Sequence, residues 1–88
     1  MNITHYTAPT IDDLAHLKEQ LGLTGAQMAD LAALGGSHQW RKYTGGQSPR
    51  EMNVHMLFFI AAQLTLTDAQ LHKVVDKMRD IGADVQIK

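Results

Sequence analysis

Apolar residues recur at helical spacing in the first part of the chain. The repeating positions are Ile11, Leu14, Leu17 and Leu21. Thr10 and Asp13 stand just before and within this run at the spacing of a capping box, in which two side chains satisfy free amides at a helix N-terminus. Gly22 follows the run, and glycine is a common C-terminal stop. The pattern predicts a first helix over residues 11–21.

Two short helices are predicted next. Thr24 begins a second capping box, so a helix is expected over residues 25–33, with Met28 and Leu31 on its apolar side. Two consecutive glycines then break the pattern. Ser37 stands where it can cap a third helix, which we expect to reach Thr44.

The fourth predicted helix is the most apolar segment of the chain. Ser48, Pro49 and Glu51 are typical of a cap, a first helical residue and a third helical residue, so we expect the helix to begin there. Residues 52–64 are apolar on most sides, which favours a central helix packed on several neighbours. Its methionines, with Met28 and Met78, are expected to fill the core.

Another capping box begins at Thr67, and a fifth, amphipathic helix follows it. Its apolar positions are Leu71, Val74, Val75 and Met78. The helix is expected to end near Gly82. Residues 83–88 alternate in polarity and predict a short strand, which could pair with the extended segment 1–9. These elements predict one all-α domain of five helices.

Composition narrows the function classes. Of the 88 residues none is cysteine, which excludes disulfides and cysteine-based zinc sites and fits a reducing cytoplasm. No apolar run approaches the length of a membrane span, and no basic and apolar leader opens the chain, so a cytoplasmic protein is expected. The net charge of −1 argues, taken alone, against a nucleic-acid-binding domain, because such domains are usually basic.

The charge is unevenly distributed, however. Residues 31–50 carry three cations and no acid, whereas residues 1–30 sum to −3 and residues 51–88 to −1. The cations are Arg41, Lys42 and Arg50. The positive charge therefore coincides with the third predicted helix and the residues after it. A merely solvated face is the alternative interpretation, since three charges are few.

The stretch from Thr24 to Pro49 resembles the helix-turn-helix of the phage-repressor-like (Cro, xenobiotic-response-element) family. The matching residues are Leu23, Thr24, Ala29, Leu34, Trp40, Arg41, Lys42, Tyr43, Gly45, Gly46 and Pro49. The family has a small residue in the middle of its second helix, and Ala29 matches it. The turn glycine of the family is replaced by Ala33, and the glycines stand two and three positions later. The resemblance implies a lambda-repressor-like fold and a DNA-binding regulator, a repressor of phage or mobile-element type.

A helix in the major groove must present polar side chains outward, and here Trp40 and Tyr43 are expected to point inward. The candidate base-reading residues are Ser37, His38, Gln39 and Arg41. Gln39 suits adenine and Arg41 suits guanine, each through two hydrogen bonds. The candidate phosphate contacts are Thr24, Lys42, Ser48 and Arg50, where Thr24 marks free amides at a helix start. Related proteins bind paired half-sites, so a homodimer on double-stranded DNA is expected. The resemblance covers a core over residues 11–64, so the C-terminal helix and tail over residues 65–88, outside this core, are the first candidates for the dimer surface.

The main alternative is a protein-interaction module of the same fold, such as an antitoxin that neutralises a toxin or another protein partner. The five histidines show no tight ligand spacing, so no metal and no cofactor are expected. No catalytic triad or carboxylate pair is apparent, so an enzyme is not expected. The glycine pairs lack the lysine and hydroxyl of a P-loop and indicate turns.

Overall fold

A computed structural model describes residues 1–87 of the chain. The helices are α1 (Ile11–Leu21), α2 (Gly25–Leu31), α3 (Ser37–Thr44), α4 (Val54–Thr65) and α5 (Asp68–Ile81). The predicted all-α class with five helices is confirmed, and the bounds of α1 and α3 agree with the prediction. The expected terminal strands are not present in residues 1–87, and Lys88 lies outside the described residues.

The helix starts follow the capping pattern of the sequence. Thr10, Thr24 and Thr67 each form the expected capping box: the threonine hydroxyl accepts an amide hydrogen at 3.1 Å, and the threonine amide donates to the partner side chain at 2.9 Å. The bonds to Thr10 lower the pKa of Asp13, because they favour its charged form. Capping boxes therefore form three of the five helix starts.

The core lies where α1, α2 and α3 meet, with contributions from α4 and the residues before it. Its buried side chains are Leu14, Met28, Ala29, Ala32, Trp40, Tyr43, Met52 and Ile60. The predicted inward orientation of Trp40 and Tyr43 is confirmed. Ala29 is fully buried at the middle of α2, which packs closely on α3. A small side chain is required at such a position, since a larger one would push the neighbouring helix away.

The connection from α2 to α3 turns at a left-handed residue. α2 ends at Leu31, two residues earlier than predicted, because Ala33 adopts a φ of +57°. The Leu34 amide then donates to the Ala29 carbonyl at 2.8 Å, which closes the end of the helix. Ala33 is the one residue other than glycine with positive φ in residues 1–87. Its conformation is strained for an L-residue.

Replacing Ala33 with glycine is expected to raise the free energy of unfolding by about 0.5–1 kcal/mol, because glycine has no Cβ to oppose a left-handed backbone. Urea denaturation measures the change. The matched control is Ala61→Gly at an exposed position inside α4, which should lower stability by about 1 kcal/mol. If A33G lowers the free energy of unfolding as much as A61G does, the backbone at residue 33 is not left-handed.

One predicted cap and one predicted helix start are wrong. Ser37 does not cap α3: Gly36 is the N-cap, without a side-chain hydrogen bond, and Ser37 is the first helical residue. α4 begins at Val54 and not near Ser48, and the Asn53 side chain caps it by accepting the Met56 amide hydrogen at 2.9 Å. Tertiary contacts override the local signal, since the segment before Asn53 is held by other partners.

Residues 45–53 form the α3–α4 loop. Within it the Arg50 amide donates to the Lys42 carbonyl at 2.7 Å, and the Met52 side chain enters the core with 1% of its surface exposed. Both contacts require a non-helical path. Pro49 therefore lies in a loop rather than at a first helical position.

The C-terminal half of the chain is less buried than predicted. Ile60 is the one buried residue of α4, and no described residue of α5 is buried. The Gln63 amide ties α4 to α2 by donating to the Leu31 carbonyl at 2.7 Å. Met78 is 43% exposed, so its predicted place in the core is wrong. α4 is a helix with one core side, not a central helix surrounded by neighbours.

Candidate nucleic-acid interface

The outer face of α3 carries donors. Successive residues of a helix are about 100° apart, so burying Trp40 and Tyr43 directs the positions around them away from the core. His38, Arg41 and Lys42 are exposed on that outer face. Ser37 and Gln39 are partly buried. Of the four candidate base-reading residues, His38 and Arg41 are therefore the ones presented most fully to solvent.

A surface cleft of about 650 Å³ lies beside this face. Its lining residues are His38, Arg41, Lys42, Thr44, Gly45, Gly46, Gln47, Ser48 and Arg50. We call it the basic cleft, because it contains the three cations of the positive window and no carboxylate. The structure thus brings together five of the eight residues predicted for DNA contact. Two elements build the cleft: α3 supplies one wall and the α3–α4 loop supplies the other.

The backbone fixes the spacing of the two walls. The hydrogen bond from the Arg50 amide to the Lys42 carbonyl is 2.7 Å long and joins the loop to the last turn of α3. It holds Arg50 within the same cleft as Arg41 and Lys42 although Arg50 lies outside the helix. The α4 helix start predicted at Ser48 does not exist, so Ser48 offers a hydroxyl to the cleft but no helix N-terminus.

The cations of the cleft are not neutralised within residues 1–87. The single ion pair in that range joins Arg79 and Asp76 on α5, at 3.1 Å. Arg41, Lys42 and Arg50 are exposed and have no carboxylate within salt-bridge distance there. Unpaired cations that share a concave surface attract an anion more strongly than scattered surface charges do, because their potentials add.

A second cleft of about 390 Å³ shares Arg41 and Thr44 with the first one. Its lining residues are Ala15, Lys18, Gly25, Ser37, Trp40, Arg41 and Thr44. Lys18 and Thr44 were not predicted as site residues. Lys18 counts toward an acidic segment in the sequence, and only the packing of α1 on α3 brings it near Arg41. Thr44 was not predicted as a lining residue because it is the last residue of α3.

Two of the predicted residues lie outside both clefts. Gln39 lines neither of them. Thr24 caps α2 beside Gly25, and its hydroxyl already accepts the Gln27 amide hydrogen at 3.1 Å. Any contact at Thr24 would therefore come through the free amides that begin α2 rather than through the capping hydroxyl.

The chemistry of the site is that of anion binding. Guanidinium, ammonium, imidazole and hydroxyl groups surround the basic cleft, and each of these can donate a hydrogen bond to a phosphate oxygen or a base edge. Within the described range no three histidine, aspartate or glutamate side chains gather into a metal site. None of the helices in residues 1–87 is both long and apolar enough to cross a membrane.

No family model, no curated protein and no solved structure matches the chain.

Proposed function

We propose that the chain is a sequence-specific DNA-binding transcriptional regulator, in which α2 and α3 act as a helix-turn-helix. The supporting observation is that Arg41, Lys42 and Arg50 line one cleft along the outer face of α3, with no acid among its lining residues. α3 would lie in the major groove, and the α3–α4 loop would follow the phosphate backbone beside it. Occupancy of an operator would then repress transcription by blocking polymerase.

The exposure and position of each candidate residue suit it either to base contacts or to phosphate contacts. Arg41 lies between the two clefts on the outward side of α3, where a guanidinium can bond guanine O6 and N7. His38 is the second exposed candidate for base contact, and Ser37 and Gln39 lie at the margins of the face. Lys42 lines the basic cleft from the last turn of α3, and Ser48 and Arg50 line it from the loop, which suits phosphate contacts.

The low net charge places a requirement on this function. With a total of −1, general electrostatic attraction to DNA is weak. Useful affinity must therefore come from base contacts, from pairing of two chains, or from both.

Selection from a pool of random duplexes tests the proposal. The wild-type chain is expected to enrich one short motif, and its affinity for that motif should fall steeply between about 50 and 200 mM salt. Enrichment of no motif at low salt would contradict the proposed function. Weak binding to all duplexes alike would show an electrostatic interaction without sequence reading.

We also propose that two copies of the chain pair through an apolar surface on α4 and α5. The exposed apolar side chains of these helices are Phe58, Phe59, Leu64, Val74, Met78 and Ile81. Each is at least 43% exposed, and together they offer on the order of 500 Å². A stable interface needs about 800 Å² per chain, of which roughly two thirds is apolar in homodimers.

Charge supports a second copy as the occupant of this surface. α4 has no charged residue other than His55, if that is protonated, and α5 has three acids and three bases. The α5 charges are Asp68, Asp76, Asp80, Lys73, Lys77 and Arg79. Two identical copies can therefore approach without net repulsion. A dimer would place two α3 helices on two half-sites about 34 Å apart.

Met78→Glu is expected to convert a dimer into a monomer, because it buries a charge in the apolar surface. Sedimentation at increasing concentration measures the change. Lys73→Glu, on the polar side of α5, serves as the control and should leave the dimer intact. A wild-type chain that remains monomeric at about 100 µM, where an interface of this size associates, would overturn the pairing and favour a different protein on this surface, as in an antitoxin.

A further inference from the structure

A hydrogen bond joins the N-terminal segment to a distant part of the chain. The Tyr6 hydroxyl donates a hydrogen bond to the Met52 carbonyl at 2.6 Å, across 46 residues of sequence. Tyr6, Ala8 and Pro9 are partly buried, whereas residues 1–5 are exposed. This bond ends on the α3–α4 loop, two residues after Arg50. The segment therefore contacts the loop that forms one wall of the basic cleft.

The loop depends on few anchors. Residues 46–52 are not helical, and three contacts anchor them to other parts of the chain: the bond from Arg50 to α3, the buried Met52 side chain and the Tyr6 bond. The Met52 side chain and its carbonyl are fixed by different partners, the core and Tyr6. Together these two contacts fix the path of the loop next to Arg50.

The geometry points to Tyr6 as a positioning residue, which holds the α3–α4 loop so that Arg50 stays in the basic cleft beside Arg41 and Lys42. This inference rests on the proposed function for its consequence in DNA binding, but the positioning itself is independent of DNA. Tyr6 lines neither cleft, so its effect on a ligand of the cleft must pass through the loop.

The phenol is suited to this role over the whole physiological pH range. Burial, and then the negative charge of Glu51, raise the pKa of Tyr6 above its ordinary value of 10.0. The hydroxyl therefore remains protonated, and a hydrogen-bond donor, in any ordinary buffer.

Tyr6→Phe tests the positioning directly, because it removes the hydroxyl and keeps the ring. Amide hydrogen exchange of Arg50, measured without DNA, is expected to speed up by about five- to tenfold as the loop loosens. Thr4→Val is the control, since it removes an exposed hydroxyl two residues away. The Ile60 amide reports global unfolding, and the change at Arg50 should exceed the change there. An Arg50 amide that exchanges in Y6F as it does in T4V would overturn the inference.

DNA binding tests the consequence. Y6F is expected to weaken binding of the selected motif by a smaller factor than Arg50→Ala, and to lower the magnitude of the salt slope by less than the value of about one expected for R50A, which loses the phosphate contact entirely. The double variant Y6F/R50A should be no weaker than R50A alone, because both changes act on the same contact. Additive losses would contradict positioning through Arg50. If the wild-type chain selects no DNA, the proposed function fails, while the exchange result at Arg50 still decides the positioning.

Discussion

Replacing Arg41, Lys42 and Arg50 together with alanine is expected to weaken binding of the selected duplex by about a hundredfold or more, since each of the three contacts with DNA contributes roughly 1–3 kcal/mol. The three side chains line one cleft, and no carboxylate in residues 1–87 forms a salt bridge with them. Loss of phosphate contacts should also make the remaining binding less sensitive to salt. Fluorescence anisotropy with a labelled duplex measures both effects.

The control for the triple variant is a second one with the same change in net charge. Lys73, Lys77 and Arg79 lie on α5 and do not line the basic cleft. They are also not among the apolar positions of α5. Replacing them with alanine should change affinity by far less than the first triple variant does. Equal losses in the two variants would show that the chain binds DNA through its overall charge and not through this cleft.

Trp40→Ala is expected to lower the free energy of unfolding by about 3–5 kcal/mol, because it leaves a large cavity where α1, α2 and α3 meet. Trp40 is 2% exposed, and its ring is among the largest fully covered side chains of the core. Domains of this size have a total stability near the lower end of about 5–15 kcal/mol, so much of the variant would be unfolded at 37 °C.

Urea denaturation at a fixed chain concentration measures the effect of this truncation. Trp40→Phe keeps an aromatic ring in the core and should lose clearly less stability than the alanine variant. If Trp40→Ala costs under about 1 kcal/mol, as truncation of an exposed residue does, the tryptophan would face solvent. The register of α3 would then be wrong, and with it the assignment of Arg41 and Lys42 to the outer face.

Local signals in the sequence predicted most of the helices. The capping boxes at Thr10, Thr24 and Thr67 formed as expected, because a box needs residues only three positions apart. The burial of Trp40 and Tyr43 also followed from their spacing on one helix. Sequence patterns of this kind are reliable where the deciding contacts are near in the chain.

The α3–α4 loop shows why the rest could not be predicted. Ser48, Pro49 and Glu51 have the local pattern of a helix start, yet the chain there is not helical, because the Arg50 amide bonds α3 and the Met52 side chain enters the core. These partners are distant or depend on packing. The same limit hid Lys18, which reaches Arg41 only through the packing of α1 on α3.

The sequence pattern also overestimated the burial of α4 and α5, because burial depends on partners that are distant in the chain. Apolar spacing predicted that α4 and α5 would bury their apolar residues but could not identify the partner. Residues 1–87 leave Phe58 and Phe59 about half exposed on α4 and Met78 exposed on α5. An apolar stripe indicates burial against something, and a second copy of the chain is the occupant proposed here.

The central proposal is that the outer face of α3 reads DNA sequence, and selection from random duplexes by wild type and Arg41→Ala tests it most directly. Wild type should enrich one short motif, and R41A should lose the preference at a single base pair while retaining the others. Lys73→Ala is the control and should enrich the wild-type motif unchanged. An R41A motif identical to that of wild type, or no motif for wild type at low salt, would contradict the proposal.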